Sequence, residues 1–131
     1  MKLFLMRLLR SGISGRQEQV SSARIRRAVE AWVDQKGHRR ALSGAEQIAA
    51  DIGVPPEELS AYIRVRSGRS LLGWRKALRI EDAKVLLAEH AELPVATVAK
   101  TVGIDDKSNF RKQFTEETGM SPREWRERHR K

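Results

Sequence analysis

Two stretches of this chain repeat the same pattern in the same order. Ile48-Ala49-Ala50-Asp51-Ile52-Gly53 matches Val98-Ala99-Lys100-Thr101-Val102-Gly103 at an offset of 50 residues. One extra residue then enters the second copy and the offset becomes 51. Leu59 pairs with Phe110, Ile63 with Phe114, Gly68 with Gly119, Ser70 with Ser121 and Trp74 with Trp125. Each copy reads as a short helix, a glycine turn and a second helix with an apolar i, i+4 pair, which is the helix-turn-helix pattern. The small Ala49 and Ala99 let the two helices cross closely, and Gly53 and Gly103 supply a turn conformation that a side chain would penalise. One such hairpin of helices is common. Two in register, joined by one long helix, leave few architectures open.

The rest of the chain agrees with an all-α fold. No period-2 alternation is sustained, aromatic residues are scarce, and Ala, Leu, Glu, Lys and Arg dominate. Residues 11–19 are polar and Gly/Ser-rich and read as a linker. Ile25, Ala28, Val29, Trp32 and Val33 then form one apolar helical stripe, with Arg24, Arg26 and Arg27 largely off it and Gly37 as the expected stop. Ser43 and Glu46 have capping-box spacing, and Pro56 is suited to a first helical position. A helix from residue 70 to about 90 would bury Leu71, Trp74, Leu78, Ala83, Leu86 and Leu87. Ser121-Pro122-Arg123-Glu124 combines a capping box with proline at the first helical position. The expected organisation is an N-terminal tail and linker over 1–19 and a domain over 20–131. Within the domain, the first helix-turn-helix spans about 44–68, the linking helix about 70–90 and the second helix-turn-helix about 95–119.

Charge narrows the partners. In 131 residues, 26 Lys and Arg face 17 Asp and Glu, a formal net charge of +9. That excess attracts polyanions regardless of sequence, and nucleic acid is the commonest large one. It is uneven: residues 1–42 hold ten basic and three acidic residues, residues 43–93 seven and eight, and residues 94–131 nine and six. The middle therefore reads as scaffold between basic flanks. With no cysteine, a disulfide framework, a thiolate metal site and a cysteine nucleophile are excluded, alkyl transfer to a protein thiol among them. Residues 1–9 are apolar but interrupted by Lys2 and Arg7, too short to span a bilayer and without a small-residue cleavage site, so no membrane partner is expected. His38, His90 and His129 are too dispersed for a metal site and are expected at the surface or at helix ends. Trp74 and Trp125 are expected in the core. No cofactor, metal or catalytic constellation is expected, and the chain is not read as an enzyme.

The second copy carries a family resemblance. Residues 80–87 (IEDAKVLL), then Val98-Ala99 through Gly103-Ile104-Asp105-Asp106, Ser108, Phe110-Arg111 and Phe114, followed by Thr118-Gly119, Ser121-Pro122 and Trp125-Arg126, resemble the DNA-binding domain of AraC/XylS-type transcription regulators. The resemblance covers about residues 22–129. It implies seven helices in two subdomains bridged by the long helix, with recognition helices in successive major grooves roughly 34 Å apart. It also implies a bacterial, cytoplasmic, nucleoid-associated protein with double-stranded DNA and RNA polymerase as partners. Such regulators usually carry a further sensing or dimerising domain, which these residues do not display.

Phe110 and Phe114 define the buried face of the second recognition helix, so Ser108 and Lys112 point outward with Asn109 and Arg111 on the flanks. Asn suits adenine, Lys suits guanine acceptors and Ser suits either, and these positions match the family's base-contacting ones. Ser108, Asn109 and Lys112 are thus the expected base readers, and Lys107 and Arg111 the expected phosphate contacts. Asp106 is the expected helix cap. In the first unit the same geometry turns Glu57, Ser60, Ala61 and Arg64 outward. Glu57, Ser60 and Ala61 are its candidate base contacts. Pro55 departs from the Ser or Thr cap usual in the family, so this unit is expected chiefly to position the backbone, with Arg64, Arg66 and Arg69 near phosphates. Two other readings of the chain remain: a helical module that binds a protein partner, and a nucleic-acid binder without sequence preference.

Overall fold

The structure, a computed structural model, describes residues 16–131. Seven α-helices and one short 3-10 turn make up the regular structure of those residues: α1 Arg16–Asp34, the turn Gly37–Arg39, α2 Ala45–Ile52, α3 Pro56–Ser67, α4 Leu71–Glu89, α5 Val95–Thr101, α6 Lys107–Thr118 and α7 Pro122–His129. No strand occurs among them. The chain divides into two compact units, one ending at Arg75 and the other covering Lys76–Lys131, with α4 starting in the first and continuing into the second.

The first unit is organised around Trp32. The apolar stripe of α1 delivers Val29, Trp32 and Val33 to a core completed by Ile48, Ala49, Leu59, Ile63, Leu71 and Trp74. The indoles of Trp32 and Trp74 stack with centroids 6.2 Å apart. Nε1 of Trp32 donates to a carboxylate oxygen of Asp51 at 2.7 Å, and the same oxygen pairs with Arg40. These contacts, the Trp32 hydrogen bond foremost, hold the Asp51 carboxyl below its ordinary value. A depressed native pKa stabilises the fold above the unfolded value, and that stabilisation disappears as pH falls through the native value. Urea titrations of the full chain should therefore show a loss of stability as pH falls below about 4. Asp51→Ala should cost about 1 kcal/mol at neutral pH, with solvent screening holding it to that range, and should flatten this part of the pH profile.

Four local expectations fail here. Helix α1 begins at Arg16, so residues 16–19, read as linker from their polarity, are helical; residues 1–15, including the apolar 1–9, lie outside the described residues. Gly37 does not stop α1. The helix ends at Asp34 and Lys36 takes the left-handed conformation at φ 62°. The glycine is needed for space instead: a Cβ at Gly37 would lie 2.3 Å from Nε1 of Trp32. The adjoining His38 is fully buried beside the Trp32 ring, not at the surface. Nor does the Ser43–Glu46 capping box form. Gly44 occupies the cap position, and the third helical residue, Gln47, reaches back to accept from the Ser43 amide at 2.8 Å. Reciprocal capping is thus shifted by one residue and half made.

The second unit buries Ile80, Ala83, Leu87, Val98, Ala99, Val102, Ile104, Phe110 and Phe114. Gly103 at φ 96° makes the turn between α5 and α6, as Gly53 at φ 91° does between α2 and α3. Both angles lie where a side chain is disfavoured, which is the physical content of the repeat. Ser121 and Glu124 form the full capping box of α7. Trp125 packs edge-on to Phe114, donates from Nε1 to the Lys84 carbonyl at 3.3 Å and carries the His129 ring 3.7 Å above it. His90 and His129 are exposed, as expected of helix ends.

Candidate nucleic-acid interface

Helix α6 starts where the chain supplies its own cap. The Asp106 side chain accepts from the Asn109 amide at 2.9 Å, satisfying an orphan donor of the first turn, and its charge suits the positive end of the helix dipole. One turn on, the Phe110 ring turns inward, followed by that of Phe114, centroids 5.7 Å apart. With about 100° of rotation per residue, these two fix the buried side, and Ser108 and Lys112 fall opposite it. Ser108, Asn109 and Lys112 are all exposed. The structure therefore brings the three expected base readers onto one open face backed by the aromatic core.

That face extends further than the sequence reading took it. Thr115 and Glu116 are also exposed and continue the face by a turn. The helical wheel that turns Ser108 and Lys112 outward reaches both when it is carried past Phe114. Lys107 and Arg111 lie on the flank nearer the core, both exposed. They border a cleft of about 840 Å³ whose floor includes Phe110 and Pro122 and whose lining also holds Arg123 and Arg126. Arg126 is committed to the scaffold, since its guanidinium donates to the carbonyls of Leu87 and His90 at 3.1 and 3.2 Å.

Helix α3 presents a different surface. Pro55 at its cap position offers no side-chain hydrogen bond. Leu59 and Ile63 are fully buried and Tyr62 nearly so, and burial pushes the Tyr62 phenol up from its ordinary value. Glu57, Ala61 and Arg64 are exposed on the opposite side. Ser60 is half-buried at the edge of that face. Arg66 does not join Arg64. Nine residues after Glu57, it falls about 180° round the helix. There its guanidinium lies 4.5 Å from the Tyr62 ring centroid and donates to the Ser22 hydroxyl at 3.2 Å. Arg69 follows the helix end and is half-buried. Val65, which the sequence reading left out, is 67% exposed on the outward side, nearer its centre than Ser60. Two residues past the buried Ile63, it lies about 200° round the helix from it, so the wheel that turns Ala61 outward turns Val65 outward as well.

Among the described residues no group of three or more His, Asp or Glu is placed to hold a metal ion, and no helix is long and apolar enough to cross a membrane.

Comparison with known proteins places these hairpins. A family model described as a helix-turn-helix domain matches residues 48–128. The arabinose operon regulatory protein of Escherichia coli (strain K12) is 40% identical over 79 residues, which is 60% of this chain and 27% of that protein. An uncharacterized HTH-type transcriptional regulator of Bacillus subtilis (strain 168), YobQ, is 34% identical over 71 residues, 54% of this chain and 29% of that protein. The chain thus spans little more than a quarter of the length of these relatives. Of solved structures, the C-terminal domain of AraT, a response regulator from Geobacillus stearothermophilus, superposes with a TM-score of 0.69 at 30% identity over 82% of this chain and 86% of that one. The DNA-binding domain of AdpA, solved with a target DNA, shares the fold at a TM-score of 0.66 and 23% identity, covering 79% of this chain and 90% of that one.

Proposed function

This chain belongs to the AraC/XylS-type helix-turn-helix family, and from that premise we propose that it binds double-stranded DNA sequence-specifically as the reading domain of a bacterial transcription regulator. One observation carries the reading most: the open face of α6, where Ser108, Asn109 and Lys112 stand together on a helix anchored by Phe110 and Phe114 and capped by Asp106. A helix of this size fits the major groove, and these side chains carry the donors and acceptors that base edges require. Lys107 and Arg111, on the flank, are suited to phosphates. Helix α3 enters the neighbouring major groove in this proposal, with Glu57 and Ala61 toward bases, Ser60 at the margin and Arg64 toward the backbone. The tethered Arg66 has a structural role, and Arg69 stays a candidate phosphate contact. The proposal includes RNA polymerase and a sensing or dimerising domain as partners, a cytoplasmic, nucleoid-associated setting and no catalytic step.

Selection from a random duplex pool, followed by competition at about 0.15 M salt, tests this directly. The full chain should recover a defined sequence and prefer it over bulk DNA. Lys112→Ala should weaken that complex by about 1–3 kcal/mol and relax preference at one base position. Recovery of no sequence would leave a charge-driven binder or a protein-interaction module. An unchanged affinity and preference in Lys112→Ala would show that another face reads the bases.

A further inference from the structure

The two recognition helices of the repeat carry opposite chemistry at equivalent outward positions. At the offset of 51, Ala61 corresponds to Lys112 and Val65 to Glu116. Lys112 and Glu116 are both exposed, so packing within a hairpin of this kind does not require apolar side chains at these places. In the first unit the same places are nonetheless apolar. Ala61 and Val65 stand one helical turn apart on the same side of α3, and both are exposed, Val65 more so than Leu72 or Val85, the other large apolar residues open to solvent among the described residues. Helix propensity does not account for Val65 either. A β-branched residue is a poorer helix former than the lysine, arginine or glutamate that a solvated site usually holds. The side of α3 that packs inward is already complete, with Leu59, Tyr62 and Ile63 buried and Arg66 laid over Tyr62.

We propose that Ala61 and Val65 form a methyl-reading stripe that selects thymine in the major groove. The 5-methyl of thymine is the apolar group that base edges present there, and small aliphatic side chains are its natural contact. The position of the stripe fits that task. Glu57 lies one turn before Ala61 on the same side and Arg64 three residues after Ala61, next to it on the helix surface, so the apolar strip is bordered by a hydrogen-bond acceptor and a cation. The first unit then contributes base preference through shape and apolar contact, while the second contributes it through hydrogen bonds. This inference rests on the reading of α3 as a groove-binding helix.

Deoxyuridine tests it, because it differs from thymidine by that methyl alone. In the sequence recovered from the random pool, each thymine of the half-site bound by the first unit is replaced in turn by deoxyuridine, and binding of the full chain is measured. At one or two positions the wild-type protein should lose about four-fold in affinity, the effect expected for one methyl removed from a buried contact. Val65→Ala should bind the thymine duplex more weakly and show a smaller or vanished difference between thymine and uracil there. Lys112→Ala, in the other unit, should leave that difference intact. Since Val65 is exposed and alanine is the better helix former, the variant should keep its thermal midpoint, which separates a contact effect from an unfolding one. If a sequence is selected but uracil matches thymine at every position, or Val65→Ala keeps the full thymine preference, the stripe does not read methyls. If no sequence is selected at all, the groove-binding reading fails with it.

Discussion

Replacing Phe114 with alanine is expected to cost about 3–5 kcal/mol of stability, the range for a large aromatic removed from a packed core. Phe114 is fully buried, packs against the Phe110 ring and receives the edge of Trp125. Its loss leaves a cavity that α5, α6 and α7 cannot close without giving up contacts with Ile80, Leu87, Val98 and Val102. A unit of this size has only about 3–8 kcal/mol in total, so most of its stability would go. Urea denaturation followed by far-ultraviolet circular dichroism should show an early transition in the variant, where the wild type holds. Phe114→Leu, which retains much of the volume, should restore the larger part. Because the face of α6 proposed to read bases is held in place by this ring, Phe114→Ala should also lose the sequence preference that Phe114→Leu keeps. A folded Phe114→Ala protein with wild-type stability would contradict the packing described above.

Gly37→Ala is expected to be nearly as damaging, although it adds a single methyl. The new carbon would meet the pyrrole edge of Trp32 at 2.3–2.5 Å, well inside van der Waals contact. The indole has nowhere to retreat: Asp51 holds its N–H, Trp74 stacks on its face and His38 packs nearby. Overpacking of this kind costs about 1–3 kcal/mol and occasionally more, and the rigid surroundings put this case at the upper end. The clash falls on the ring bonded directly to the Trp32 Cβ, which any aromatic residue would keep, so Trp32→Ala should relieve it. Measured by urea denaturation of the full chain, the Gly37→Ala/Trp32→Ala protein should be more stable than the sum of the two single losses implies, a coupling of about 1 kcal/mol or more. Simple additivity would mean that Gly37 matters for its backbone and not for the ring beside it.

The elements that could be read from the sequence are those with a local cause. Asp106, Ser121, Glu124 and the glycines after each short helix act on neighbours within a turn, so composition and spacing suffice to find them. Phe110 and Phe114 were recognisable for the same reason, and with them the face carrying Ser108 and Lys112. What escaped depends on residues distant in the chain. Gly37 and His38 take their roles from Trp32 and its partners Asp51 and Trp74. Arg66 is an exception: nine residues past Glu57 the helical wheel already turns it away from the outward face, and only its partner Ser22, 44 residues earlier, is hidden from the sequence. The shift from a Ser43 cap to Gly44 has a subtler origin: Gln47 competes with Glu46 for the same backbone amide, and spacing alone does not rank them. Val65 was within reach of the same local reasoning, since two residues past Ile63 it lies about 200° round the helix from that buried side chain.

The placement of the three tryptophans has a practical consequence. Trp32 and Trp74 belong to the unit ending at Arg75, and Trp125 alone to the unit that follows. Stacked with an interplanar angle of 20°, the first two should couple their transitions and give an exciton couplet. Trp125, flanked by the His129 imidazole and the Lys84 ammonium, should emit as an isolated fluorophore with its own quencher. The two halves of the repeat therefore carry separate spectroscopic signatures, and a melting curve recorded in both channels would reveal, without any added label, whether one half can lose its structure while the other keeps it.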